Sequence, residues 1–189
     1  MFSKKAKIFM GTILTGTVLG MGAAYSTSLE PAHADQMKTE YTANTYQQDA
    51  VKKLKLIYKD AFKGHMPFAA SGFILNKSTQ KDVHKAFGAP MSVSGGFDIY
   101  HAEMGNPGFA FSYNKNKTIA QIRYFGTNVE RKDNLGSITP KVLGKVIGSA
   151  DHIRNVKGTN EINYVYDTGK YQLEFIVRKD QTVDHINLK

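Results

Sequence analysis

Histidines beside carboxylates are the side chains best equipped to move a proton near neutral pH. His101-Ala102-Glu103 and Asp184-His185 are pairings of this kind. On an extended strand residues i and i+2 share a face, so His101 and Glu103 could ligate one ion. Two ligands without a third make a weak metal site, and the segment reads as a hairpin surface. Asp184 and His185 are strand neighbours, expected on opposite faces, which leaves His185 on a polar face and Asp184 as a turn or edge group. The chain has no cysteine, which excludes thiol nucleophiles, thiolate metal sites and disulfides. No Gly-x-Ser-x-Gly, phosphate-binding loop, His-Glu-x-x-His or calcium-loop spacing occurs, and the other histidines are scattered. No catalytic residue, metal ligand or cofactor is expected.

The strand patterns offer a binding surface instead. In Phe109–Tyr113, Thr118–Phe125, Tyr171–Val177 and Thr182–Leu188 apolar residues alternate with polar ones, the mark of a sheet with one buried and one solvated face. Phe109, Phe111, Tyr113, Ile122, Tyr124, Leu173, Phe175, Val177, Ile186 and Leu188 are expected inside. Gln121, Arg123, Gln172, Glu174, His185 and Asn187 are expected outside as the partner-binding face; Ala110, Ser112 and Arg178 point the same way, and Ile176 is an apolar exception there. The aromatics fall mainly on the inner face, whereas a nucleic-acid stacking platform needs them exposed, so no nucleic-acid partner is expected.

These strands belong to a unit that the chain writes twice. Residues 72–126 and 136–188 each open with a capped short helix, end it at a glycine, and continue into four strands separated by turn residues. In the first, Thr79 caps with Asp82 three positions on, Val83, Ala86 and Phe87 form the inward face, and Gly88 ends the helix. In the second, Thr139 caps, Pro140 takes the first helical position, Val142, Leu143, Val146 and Ile147 form the face, and Gly148 is the stop. The remaining strands are Met91–Ser94 and Phe97–His101 in one copy, His152–Val156 and Ile162–Tyr166 in the other. A longer amphipathic helix, Asp49–Lys63, precedes both, with Val51, Leu54, Ile57, Tyr58, Ala61 and Phe62 on its apolar stripe. The predicted fold class is α+β: two tandem helix-plus-strand modules forming one antiparallel sheet with the helices on a single face.

The amino terminus reads as an export signal. Lys4, Lys5 and Lys7 precede a run of small and apolar residues from Ile8 to Ala24, and Ala32-His33-Ala34 supplies a signal-peptidase site. The run is broken by glycine and threonine and falls short of the ~20 apolar residues a membrane span needs. Cleavage before Asp35 is expected, followed by a polar leader over 35–48 and a single domain over 49–189. The whole chain has 25 Lys and Arg against 16 Asp and Glu, a net charge of +9. Only three of those lysines and Glu30 lie in the signal, so the exported part stays basic and favours anionic neighbours.

The stretch 53–188 resembles the YjgB-like exported domains of unknown function found in low-GC Gram-positive bacteria. The matching residues are Ile57-Tyr58-Lys59-Asp60-Ala61 leading to Gly64-His65-Met66-Pro67, Asp82-Val83 and Gly88-Ala89-Pro90 within Thr79–Pro90, Phe109–Phe125, Tyr166-Asp167-Thr168-Gly169-Lys170-Tyr171-Gln172-Leu173, and Asp184-His185-Ile186. Phe87 departs from the pattern, which more often has tryptophan there. The resemblance implies a fold and a compartment, and no activity. A looser likeness, in architecture alone, is to beta-lactamase inhibitor protein and the small outer-membrane assembly lipoproteins, which are binding modules.

The expected protein is therefore secreted, extracellular or loosely wall-associated, without a membrane span after cleavage. Its leading function is a non-catalytic binding or inhibitory module for a protein or an anionic cell-envelope polymer. The alternative is a cell-wall housekeeping enzyme with a site between the modules, which would need several titratable groups converging there.

Overall fold

The computed structural model describes residues 47–101, 106–127 and 134–189. The expected signal, the leader up to residue 46, and Ala102 and Glu103 of the first histidine pairing lie outside the described residues.

Among the described residues helix α1 runs over 47–61, ending two positions earlier than predicted, and Gln47 and Gln48 are helical rather than part of the leader. Its last turn tightens because the Lys63 N–H donates to Asp60 O and the Gly64 N–H to Ala61 O, three-residue bonds that end a helix. A 3-10 turn follows at Phe68–Ala70. Helix α2, Gln80–Phe87, starts in the reciprocal arrangement its sequence predicts: the Thr79 hydroxyl accepts from the Asp82 N–H, and the Asp82 carboxylate accepts from the Thr79 N–H at 2.8 Å. Helix α3, Pro140–Ile147, is capped by Thr139 and begins with proline. Tyrosines on the sheet tether both short helices at their ends. The Tyr100 hydroxyl donates to Gly88 O and the Tyr166 hydroxyl to Gly148 O, each at 3.2 Å.

Among the described residues eight strands make one sheet: β1 (Ser92–Ser94), β2 (Phe97–Tyr100), β3 (Gly108–Tyr113), β4 (Ile119–Phe125), β5 (His152–Asn155), β6 (Ile162–Thr168), β7 (Tyr171–Val177) and β8 (Val183–Leu188). Their order is β1-β2-β3-β4-β8-β7-β6-β5, antiparallel throughout. The class is α+β, and each predicted strand is present with its ends moved by at most two residues. Strands β4 and β8 meet at the centre, Arg123 opposite Asn187.

Two irregularities interrupt the ladders. Ser112 pairs with Gln121 but Tyr113 with Ile119, leaving Ala120 unmatched. Likewise Ile176 pairs with His185 but Val177 with Val183, leaving Asp184 unmatched. Such a bulge adds one residue to one strand and redirects its side chains.

The inner face of the sheet and the helices share one core. Phe109, Phe111, Ile122, Tyr124, Leu173, Phe175, Val177, Ile186 and Leu188 are buried in a single cluster with Leu54, Ile57 and Ala61 of α1, Val83 of α2 and Leu143 of α3. Each such large apolar side chain contributes about 1.5–3 kcal/mol relative to exposure. Without disulfides, this packing holds the domain together. Around α2 the core is aromatic, with Phe73, Phe87, Tyr100, Phe109 and Phe111 in contact at centroid separations of 5.3–6.4 Å.

Candidate functional site

The central row of the outer sheet face runs through Ala110, Arg123, Asn187, Glu174 and Val165, successive partners across β3, β4, β8, β7 and β6. Arg123 Nε donates to Asn187 Oδ1 at 2.8 Å, Asn187 Nδ2 to Glu174 Oε2 at 3.4 Å, and Lys189 Nζ lies 2.8 Å from Glu174 Oε1. The Arg123 guanidinium sits 4.7 Å from the centre of the Phe97 ring and 5.9 Å from that of Phe125. The phenyl faces attract the cation and fix its plane. Burial draws this guanidinium down from its ordinary value while Glu174 and Asp184 oppose the change, and it remains cationic.

This geometry corrects the expected open polar face. Glu174 and Asn187 are each only 4% exposed, Ile176 is 4% exposed and Ala110 is 1% exposed. Residues that alternation alone assigns to water are nearly inaccessible, and Asn187 and Glu174 are held by bonds from Arg123 and Lys189. Arg123, His185, Gln121 and Gln172 are half-buried. Of the six predicted contact residues, Arg123, Asn187 and Glu174 join one network. His185 adjoins it, its ring 5.7 Å from Phe125. Gln121 pairs with Ser112 on the ladder, and Gln172 Nε2 donates to Asp167 Oδ1 at 3.0 Å, so neither belongs to the network.

A second correction concerns Asp184 and His185. They do not diverge: His185 Nδ1 lies 2.6 Å from Asp184 Oδ2, where it donates to the carboxylate. The bulge at Asp184 brings the two neighbours to one side, and Arg178 pairs with the other oxygen. Burial pulls the His185 imidazole below its ordinary value and Arg123 adds to this, against the hydrogen bond the imidazole donates to Asp184. Burial raises the Asp184 carboxyl, but His185 and Arg178 more than reverse it, so it lies below the ordinary range.

Sequence reasoning missed a cluster under α2. His84 Nε2 lies 2.7 Å from Asp98 Oδ2, and Gln80 Nε2 donates to the same oxygen at 3.1 Å. Asp98 is 6% exposed. Burial raises its carboxyl, yet the bonds from His84 and Gln80, with the Tyr113 hydroxyl beside them, leave it below the usual carboxylate range. Burial first, then the Asp98 charge, pushes the Tyr113 phenol far upward. The signal was legible: Asp98 falls on the core-facing parity of Tyr100, and Gln80 and His84 share one face of α2. A carboxylate assigned to a core position demands donors, and the helix supplies them.

A groove of about 520 Å³ lies between α1 and α3, floored by Val51, Val142 and Val146 and rimmed by Lys52, Lys55 and Lys145. Among the described residues no group of three or more His, Cys, Asp or Glu is placed to hold a metal ion, and no helix is long and apolar enough to cross a membrane.

Fold and face together define a small α+β domain that carries a stacked, hydrogen-bonded arginine at the centre of its outer sheet face. The chain belongs to the family described as "Domain of unknown function (DUF4309)", which it matches over residues 54–189. It is 49% identical over 179 residues to a Bacillus subtilis (strain 168) protein named "Uncharacterized protein YjgB", covering 93% of this chain and 92% of that protein. The crystal structure of a DUF4309 family protein, YjgB of Bacillus subtilis, solved at 2.13 Å, is similar with a TM-score of 0.71 and 53% identity over 75% of this chain and 98% of that chain.

Proposed function

We propose that this domain is an exported, non-catalytic binding module whose outer sheet face engages a partner bearing carboxylate or phosphate groups, on a protein or an anionic cell-envelope polymer. The observation that carries the reading is Arg123. Its Nε is tied to Asn187 and its plane is set by Phe97 and Phe125, while its terminal amino groups make no hydrogen bond among the described residues. A fixed planar fork of this kind matches carboxylate or phosphate bidentately, with little side-chain freedom left to lose on binding. Gln121, Gln172 and His185 flank it, whereas Glu174 and Asn187 position the network from beneath rather than touch the partner.

We further infer that the domain is a tandem pair of modules, 72–126 and 136–188. Supporting this are the matched Tyr100–Gly88 and Tyr166–Gly148 bonds, and bulges at Ala120 and Asp184, which coincide when the two copies are aligned. Arg123 and Asn187 then lie on the seam between modules. The test is a pull-down from culture medium and wall extract with parent and Arg123→Lys proteins as bait. Lysine keeps the charge but loses the fork, so the reading expects the partner to be depleted in the variant eluate. Equal recovery by both rejects Arg123 as the contact.

A further inference from the structure

The helix layer, on the other side of the sheet from Arg123, carries a second surface of different chemistry. Around α1, Ala50, Leu54, Ile57 and Ala61 are completely buried, and the arc diametrically opposite holds Lys52, Lys55, Leu56 and Lys59, continued by Phe62 and Lys63 in the turn that follows, all exposed. Leu56 is 43% and Phe62 49% exposed. Phe62 is supported edge-on by Tyr58, with centroids 5.2 Å apart, so its outer edge is held toward solvent. Lys52, Lys55, Lys59 and Lys63 make no ion pair among the described residues, nor does Lys145 across the valine-floored groove. The acids of α1, Asp49 and Asp60, are half-buried on one flank of this arc and not at its centre.

A merely solvated lysine face needs no large apolar residues among the lysines and no apolar trough beside it. From that combination we propose that α1, with the α1–α3 groove, docks on the surface of an anionic phospholipid bilayer. The lysines lie at the head-group phosphates, and Leu56 and Phe62 enter the boundary with the acyl chains. Unlike a free interfacial helix, whose whole apolar face enters the bilayer, α1 keeps that face in the core and presents lysines with two apolar side chains among them, so head-group charge supplies most of the attraction. The groove gives the Lys52, Lys55 and Lys145 ammonium groups an apolar floor between them, suited to the glycerol and upper acyl segment of a lipid whose phosphate they hold.

The chain contains no tryptophan, so one introduced indole reports one place. Leu56→Trp and Phe62→Trp proteins, recovered from the culture medium of an exporting host, are mixed with vesicles of phosphatidylcholine alone or of phosphatidylcholine with phosphatidylglycerol. Expected is a blue shift of emission with the phosphatidylglycerol vesicles only, and none for Ile153→Trp, an exposed apolar site on β5. Changing Lys52, Lys55 and Lys59 singly to glutamine weakens vesicle binding about fivefold each, with unchanged thermal melts. Equal partition into neutral vesicles, or an equal shift at Ile153→Trp, overturns the proposal. So does binding to vesicles or to soluble polyphosphate that leaves the indole at position 56 in water, since that marks a polyanion surface and not a bilayer one.

Discussion

A guanidinium that shares a sheet face with a buried carboxamide and a buried carboxylate supports the fold as well as any ligand. Arg123→Ala removes the donor to Asn187 Oδ1 and the cation beside Glu174, so a stability loss of about 1–3 kcal/mol is expected, the cost of a buried polar group left unpaired. Gln121→Ala and Gln172→Ala, half-buried and outside the network, should stay within about 0.5 kcal/mol of the parent. Denaturant melts of the three variants separate these cases. Titration adds a signed expectation. His185 has its folded value below the unfolded 6.5, so below that pH the unfolded chain binds more protons and stability falls as pH drops through the folded value. Asp98 and Asp184, lowered from 3.8, contribute stability above that value that is lost as pH falls through their folded values. Melts across pH should therefore show an early decline below about 6.5, absent in His185→Gln, and a second at carboxylate pH, reduced in Asp98→Asn.

Elements follow from period and punctuation, which is why most of them were legible. The two capped helices are set by Thr79, Asp82, Thr139 and Pro140 and ended by Gly88 and Gly148, local chemistry that needs no tertiary knowledge. Strand faces were legible for the inner side, since the alternation of Phe109, Phe111 and Phe175 is unbroken. The outer side was misread for two physical reasons. Alternation tells parity but not coverage, so it assigns Glu174 and Asn187 to water although both are buried and bonded to neighbours on that face. A bulge depends on how two strands pair, so nothing in the order Asp184-His185 reveals that they share a side. Phe111→Ala and Phe175→Ala, both fully buried, should each cost about 3–5 kcal/mol in a denaturant melt. Gly64→Ala is a sharper probe of how α1 meets the sheet. Its φ is +75° and an added Cβ would lie 2.6 Å from Tyr171 Cζ, so both the backbone and the ring resist. A loss larger than the about 1 kcal/mol typical of point mutants is expected, and Tyr171→Ala should relieve the steric part.

At the scale of the whole molecule, charge and order of assembly matter more than any one contact. With 25 basic against 16 acidic side chains, association with an anionic wall should fade as salt shortens the screening length from about 10 Å at 0.1 M to about 3 Å at 1 M. Wall-fragment binding that persists at molar salt would contradict this. Intact mass of protein in the medium should place its first residue at Asp35. The sheet order adds something about time. Strand β8 follows every other strand in the chain, yet it lies between β4 and β7. Until residues 183–188 arrive, β4 and β7 each present an unpaired edge, and the four strands β1–β4 have no ladder to the three strands β5–β7. A chain made in amino-to-carboxyl order therefore completes its sheet only when its final strand arrives. The last strand to be made is the one that closes the middle of the sheet.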